Sequence, residues 1–162
     1  MLSHHQLDRL RPRPGARRRR ERPARACRGH LHGAGGLSVK LPPYADALGA
    51  TVEQGEDGVP VLVMPFGPDV IGRPGFLHGG ALGGLLEMAA IYALKAALGE
   101  EGRVKPINVT VDYMRGGRDK PTRARGSVTR LGTRIANVEA IAWQDEPDRP
   151  IAAARMNYLI VR

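Results

Sequence analysis

One long apolar segment constrains the fold of this chain more than any other feature. Residues 81–98 contain two charged side chains, Glu87 and Lys95, and Gly99 follows where a helix C-terminus is expected. A helix of this composition is apolar almost all round, so protein must cover most of its faces. The two charges leave no run of about 18 uncharged apolar residues, which argues against a transmembrane span. The segment is therefore predicted to be a buried core helix.

Strand-like segments precede and follow this helix. Residues 51–53 and 59–64 flank the turn signal at 55–58 and predict a hairpin, and residues 67–75 read as a Gly- and Pro-rich loop. Three strand candidates joined by short turns come last: residues 122–131, 133–143 and 151–161.

Between the helix and these last strands, the apolar residues Ile107, Val109, Val111 and Tyr113 alternate with polar or flexible ones. That period of two is typical of a half-buried strand. A flat sheet cannot cover a helix that is apolar on nearly every side. The sequence therefore predicts an α+β fold in which a curved antiparallel β-sheet wraps one long buried helix.

The positive charge is concentrated at the N-terminus. Residues 1–36 contain ten Arg and two acids, whereas the other 126 residues have 15 basic and 14 acidic side chains, within a total net charge of +9. A segment so charged and so poor in apolar residues cannot offset its chain entropy by burial. We predict that residues 1–36 form a disordered Arg-rich extension and that residues 37–162 form one domain. An accidental extension and a dedicated basic arm, for nucleic acid or a membrane surface, both remain open for the first segment.

Composition excludes several other classes of function. Aromatic residues make up 4% of the chain, too few for a platform on which bases stack, so no specific nucleic-acid partner is expected. The lone Cys27 and four of the five histidines lie in the N-terminal segment, so no disulfide and no metal site is expected. No apolar signal segment opens the chain, and no membrane association is expected. These features favour a cytoplasmic protein.

The most informative motif opens the long helix. Gly75-Phe76-Leu77-His78-Gly79-Gly80-Ala81-Leu82 is followed on the same helix by Leu85-Leu86-Glu87-Met88-Ala89. With the strand order, these words resemble the PaaI-like thioesterases of the hotdog-fold superfamily, over about residues 41–161. The resemblance implies a hotdog fold, a homodimer or a dimer of dimers, an acyl-CoA-type substrate and no cofactor.

The chemistry of the motif is consistent with that resemblance. Negative charge develops on the carbonyl oxygen when a thioester is hydrolysed, and free N–H groups at a helix N-terminus are placed to receive it. We predict Gly79 as that donor, with Gly80 allowing close approach of the substrate. Glu87 is predicted as general base or nucleophile, and His78 as a supporting residue that shapes the turn. An exposed or ion-paired structural carboxylate is the alternative for Glu87.

Two departures from the family pattern concern polar side chains. Gly72 stands where the family commonly has an Asn or Gln that helps to hold the carbonyl or the water. At the two places where the family often has a Ser or Thr, this chain has Lys105-Pro106 and Ile91. Asn108 or Thr110 are the candidate substitutes.

Three arginines are candidates for binding the phosphates of a CoA-like substrate. Arg115, Arg130 and Arg134 lie at predicted strand ends or turns, near where related proteins bind that nucleotide. A solvated surface arginine is the alternative for each. The sequence thus predicts an acyl-CoA thioesterase, and the alternative is a hotdog domain that binds a thioester without hydrolysing it, as a sensor or carrier.

Overall fold

A computed structural model describes residues 40–99 and 103–161 of this chain. The predicted disordered extension at residues 1–36 lies outside the described residues, so it stays a prediction, as does the domain boundary at residue 37. Two helices and eight strands follow in chain order: α1 (Pro43–Ala47), β1 (Thr51–Gln54), β2 (Pro60–Met64), β3 (Ile71–Arg73), β4 (Phe76–Leu77), α2 (Gly79–Leu98), β5 (Arg103–Tyr113), β6 (Thr122–Leu131), β7 (Ile135–Trp143) and β8 (Ala152–Val161).

Six of the strands form one antiparallel sheet in the order β1-β2-β6-β7-β8-β5. The predicted hairpin is confirmed, since Thr51 of β1 pairs with Val63 of β2. Short connections also join β6 to β7 and β7 to β8, as the turn signals predicted. β8 then pairs with β5, which places β5 at the edge of the sheet.

The long helix α2 packs on one face of this sheet, mainly against β6 and β7. By length and composition α2 could cross a membrane, but more than half of its most apolar stretch is buried inside the domain. The buried residues of the strands alternate along β2, β6, β7 and β8, so one face of each strand covers the helix. One buried helix against a large antiparallel sheet is the predicted arrangement. The buried side chains of α2 are Ala81, Leu82, Leu85, Leu86, Met88, Ala89, Ala90, Tyr92, Ala93 and Leu94.

β5 corrects one part of the prediction. The strand exists, but Ile107 is 55% exposed and Val109 is 42% exposed, so in the single chain it is not half-buried. A bulge at Ile107 also shifts the register between Pro106 and Asn108. The reason is that β5 is the outermost strand and is covered only in part, since Val104 and Val111 pack against the core while Ile107 and Val109 stay exposed.

A second, two-stranded ribbon lies within and just after the predicted loop at residues 67–75. β3 pairs with β4 around a bulge between Ile71 and Arg73. After the ribbon, the His78 N–H donates to the Val70 carbonyl at 2.8 Å, and the Leu77 N–H donates to the Gly117 carbonyl at 3.0 Å. The ribbon therefore ties the start of α2 to the rest of the domain on both sides.

Close packing of α2 on the sheet depends on Gly126 in β6. A Cβ added there would lie 2.5 Å from the Ala89 carbonyl oxygen and 2.8 Å from the Ala90 Cα, both in the α2 backbone. We expect Gly126→Ala to lower the free energy of unfolding by about 1–3 kcal/mol, because the helix must move to admit the methyl group. Urea unfolding measures the change. Gly67→Ala is the matched control, since a Cβ at Gly67 meets nothing within 4 Å; equal loss in both variants would contradict the explanation.

Candidate active site

His78 is the N-cap of α2. Its backbone is extended, and its Nδ1 accepts a hydrogen bond from the Gly80 N–H at 2.9 Å. Its carbonyl oxygen accepts from the Ala81 N–H at 3.1 Å and the Leu82 N–H at 3.2 Å. These contacts fit the supporting role predicted for His78.

The two glycine N–H groups at the helix start differ. The Gly80 N–H is occupied by His78, whereas the Gly79 N–H has no acceptor among residues 40–99 and 103–161. A free N–H at a helix N-terminus also benefits from the positive end of the helix dipole. Of the two predicted glycines, Gly79 is therefore the one whose N–H is available to a substrate carbonyl.

Tyr113, the last residue of β5, holds the same end of the helix. Its hydroxyl donates to the Gly79 carbonyl at 2.9 Å. A Cβ added at Gly79 or at Gly83 would lie 3.4 Å from the Tyr113 side chain, with the end of the ring over Gly79 and the hydroxyl beside Gly83. The sequence analysis placed Tyr113 in the alternating pattern of the strand after α2 and did not predict this contact, because the contact depends on where β5 ends relative to α2.

On the other side of the glycines, Tyr44 of α1 covers Gly84. Any Cβ at Gly84 would overlap the Tyr44 ring, so a residue larger than glycine cannot fit there without movement. The two tyrosines show why the helix start is rich in glycine. Each glycine on this side of α2 admits an aromatic ring or leaves the helix backbone open.

Glu87 lies one helical turn beyond Gly83, on the same side of α2. It is half-buried rather than fully buried, and it has no hydrogen bond or ion pair within the described part of the chain. Burial and, to a smaller extent, the charge of Glu87 raise the pKa of the Tyr158 hydroxyl well above its usual value. Tyr158 belongs to β8, so Glu87 faces the β8 side of the helix.

Gly72, which stands where the family commonly has an amide side chain, packs closely against His78. A Cβ at Gly72 would lie 3.0 Å from the His78 Cα and 3.3 Å from its Cβ. Glycine at this position lets the β3 backbone approach the helix cap closely. The position is therefore adjacent to the helix start.

The candidate substitutes for the missing hydroxyl face away from Glu87. Asn108 pairs with Asn157 on the sheet face opposite α2, and the Asn157 Nδ2 donates to the Asn108 Oδ1 at 2.6 Å. Thr110 is two residues further along β5 and lies on that same outer face. Within one chain, neither side chain reaches the α2 side of the sheet.

The three arginines do not come together within one chain. Arg115 follows Tyr113, near the start of α2, and its Nη1 donates to the Pro150 carbonyl at 3.2 Å. Arg130 and Arg134 lie at the opposite end of the sheet, where β6 ends and β7 begins. All three are exposed.

A cleft of about 440 Å³ lies elsewhere, between β6 and the C-terminal half of α2. Ala93, Ala96 and Ala97 form its helix wall, and the ion pair of Arg125 with Asp57 lies at its edge. It includes neither Glu87 nor Gly79. No group of three His, Cys, Asp or Glu side chains suited to a metal ion occurs in the described residues.

The fold and the helix start define the class of protein. A family model described as the thioesterase superfamily matches residues 74–151, which span β4 to β7 and include all of α2. The chain belongs to the thioesterase superfamily and has the hotdog fold, which confirms the predicted superfamily and fold class.

Individual relatives agree with this assignment. The medium/long-chain acyl-CoA thioesterase YigI of Escherichia coli (strain K12) is 27% identical over 141 residues, covering 78% of this chain and 90% of the relative. A solved protein from Chromobacterium violaceum is 32% identical with a TM-score of 0.62, covering 74% of this chain and 84% of that one. A Bacillus halodurans protein solved with CoA shares the fold at 21% identity, with a TM-score of 0.68 and coverage of 75% and 80%.

The cap contact gives a test of His78. We expect His78→Ala to lower the free energy of unfolding by about 1 kcal/mol, because the Gly80 N–H loses its acceptor. His78→Asn should retain most of the stability, since the Asn oxygen can cap the same N–H. Chemical denaturation of the three proteins measures both effects. Equal losses in the Ala and Asn variants would show that the ring, rather than its acceptor, is what stabilises the helix start.

Proposed function

We propose that this chain is a PaaI-like acyl-CoA thioesterase that acts on medium- to long-chain acyl groups, in the cytoplasm and without a cofactor. The observation that carries the proposal is that one helix has both a Gly79 N–H and a Glu87 carboxylate without a hydrogen-bonded or ion-paired partner in the described residues. The thioesterase family supports the acyl-CoA substrate, and the activity of the Escherichia coli relative supports the chain-length class.

In the proposed reaction the thioester oxygen accepts a hydrogen bond from the Gly79 N–H. That donor stabilises the negative charge that develops as the carbonyl carbon becomes tetrahedral. Glu87 either removes a proton from the attacking water or attacks the carbon itself, forming an anhydride that water then hydrolyses. In both cases the C–S bond breaks, the thiolate takes up a proton, and a carboxylic acid and a free thiol are released. Because Gly80 and Gly83 have no side chains, the reacting carbonyl can approach the helix backbone closely.

Glu87 suits either role because of its surroundings. A half-buried carboxylate with no hydrogen-bonded or ion-paired partner retains its lone pairs for a water or a carbonyl carbon. A protein that only binds its ligand gains nothing from such a group, because partial burial of an unpaired charge is unfavourable.

We further propose that each active site is shared between two chains. Gly79 and Glu87 are eight residues apart in α2, which at about 1.5 Å per residue separates them by roughly 12 Å. Groups that act on one carbonyl must lie within about 3–3.5 Å of the atoms they act on. Two antiparallel helices related by a two-fold axis bring Gly79 of one chain opposite Glu87 of the other. The exposed Ile107 and Val109 on β5 offer apolar area for such a homodimer, which can assemble further into a dimer of dimers.

The same two-fold arrangement bears on the phosphates of CoA. Within one chain Arg115 lies near the start of α2, whereas Arg130 and Arg134 lie at the far end of the sheet. A two-fold axis reverses one chain relative to the other, so the far end of one sheet approaches the near end of its partner. We propose that Arg115 from one chain and Arg130 and Arg134 from the other bind the phosphates.

One observation favours a second function, binding without turnover. The family amide is absent at Gly72, and Asn108 and Thr110 face away from α2, so the polar groups beside Glu87 are fewer than in the family pattern. A screen of acetyl-, medium-chain, long-chain and aromatic acyl-CoAs, with free thiol as the readout, separates the two functions. Saturable binding with no thiol release on any substrate would favour a sensor or carrier.

The first test of the enzyme concerns Glu87. We expect Glu87→Gln to lower kcat by about a hundredfold or more on the best substrate of that screen, because the amide can neither accept the proton nor attack. Lys95→Gln is the matched control, since it removes the other charge of α2 from an exposed position. Steady-state thiol release measures both. A Glu87→Gln protein as active as the parent would show that the carboxylate is structural.

The second test uses mixed dimers of two inactive variants, Glu87→Ala and Gly79→Pro. Proline suits the first position of a helix, and His78 already has the extended backbone that a following proline requires, so the change removes mainly the N–H. In a mixed dimer with shared sites, one site has both lesions and the other has none. Purified heterodimers should therefore regain about half of the parent activity. If each site belonged to one chain, every site would retain a lesion, and verified heterodimers would stay inactive.

A further inference from the structure

We propose that Tyr113 is a positioning residue: its hydroxyl fixes the start of α2 so that the Gly79 N–H points at the thioester carbonyl. The inference rests on the proposed function, because it concerns the donor of that reaction. It adds a residue from another element, β5, to a site otherwise built on α2.

The hydrogen bonds around the first two peptide groups carry the argument. The peptide group between Gly79 and Gly80 is held at both ends, because its carbonyl accepts from the Tyr113 hydroxyl and its N–H donates to His78 Nδ1, each at 2.9 Å. In the preceding peptide group, between His78 and Gly79, the carbonyl accepts from two helix N–H groups. Three of the four polar ends are therefore engaged, and the free one is the Gly79 N–H.

The helix start needs such restraint. Two consecutive glycines have more backbone freedom than any other pair of residues, and the first turn of a helix lacks half of its hydrogen bonds. A donor stabilises a developing charge best when it needs no reorientation during the reaction. The Gly79 carbonyl has two lone pairs, so it can accept from Tyr113 in addition to the N–H one helical turn along. The Tyr113 hydroxyl thus restrains the segment that glycine leaves loose.

Burial does not account for Tyr113. The side chain is 56% exposed, so the single chain gains little from packing it, and its hydroxyl lies within reach of solvent. The end of its ring lies over Gly79 and its hydroxyl lies beside Gly83, the two positions where glycine permits close approach. Tyr44 provides the comparison: it is 48% exposed and also covers a helix glycine, yet its hydroxyl has no hydrogen bond in the described residues.

The experiment compares Tyr113→Phe with Tyr44→Phe in the full chain. Both changes retain the ring and remove one hydroxyl, but only the first removes a hydrogen bond to the helix start. We expect Tyr113→Phe to lower kcat about fivefold, the effect of one ordinary hydrogen bond, and to leave KM within about twofold. Tyr44→Phe should match the parent in both constants. A lower kcat at constant KM separates positioning of the donor from a general loss of substrate binding.

Amide hydrogen exchange at Gly80, followed by NMR, tests the same hydrogen bond without activity. We expect exchange at Gly80 to be at least about threefold faster in Tyr113→Phe, because the peptide group is then held at one end, and unchanged in Tyr44→Phe. Unchanged exchange overturns the inference, and so does faster exchange with an unchanged kcat. Equal losses of kcat in both variants overturn it as well. If the parent hydrolyses no thioester, the proposed function fails, and the exchange result alone decides whether Tyr113 holds the helix start.

Discussion

The need to cover α2 governs the rest of this structure. A 20-residue helix that is apolar on most faces exposes backbone and side chains to water unless other elements enclose it. The alternating buried faces of β2, β6, β7 and β8 do this on one side, and Gly126 lets the sheet approach the helix backbone directly. What remains exposed or half-exposed in the N-terminal half of α2 is a stripe made of Gly79, Gly80, Gly83, Gly84 and Glu87. The chemistry proposed for this chain lies on that stripe.

Glycine on the stripe has two opposite consequences. It lowers the helix surface, so that a ring or a substrate can approach the backbone, but it also removes the restraint that larger residues place on φ and ψ. Neighbouring elements compensate for that loss: the β3–β4 ribbon holds His78, His78 caps Gly80, and Tyr113 reaches in from β5. The flexible residues at the helix start are therefore held by the N-cap residue and by two other elements, the ribbon and β5.

Much of this architecture follows from the sequence because its signals are local. The helix is marked by its composition and by Gly99, which has the positive φ of 70° expected after a helix end, and β6 occupies exactly the residues that its pattern predicts. The β3–β4 ribbon escaped prediction because its strands are three and two residues long, too short for a period-two pattern. The prediction that β5 is half-buried was wrong for another reason. Alternation shows which face is apolar, but not whether the same chain covers it.

The residues of the candidate site also divide into those that local sequence signals identify and those that they do not. His78, Gly79 and Glu87 lie close together in the sequence, at the start and in the first half of one helix, so a motif could point to them. Tyr113, in contrast, is 34 residues from Gly79 and meets it only through sheet register. The sequence placed the three arginines at strand ends or turns, but not at a particular end of the sheet, because that depends on how the strands pair.

One further constraint is the distance between Gly79 and Glu87, and no local sequence signal shows how the chain satisfies it. A helix rises too far in eight residues for Gly79 and Glu87 to act on one carbonyl, yet both lie on the side of α2 that Tyr113 and Tyr158 mark as facing β5 and β8. That is also the side on which β5 leaves apolar residues exposed. The incomplete site and the uncovered strand therefore border one another. A second copy that covers the strand would bring its own helix alongside this one, so a single interface would bury the apolar surface and complete the reacting groups. A dimer would then explain both the exposed face of β5 and the distance between Gly79 and Glu87. No residue would have to move within its own chain.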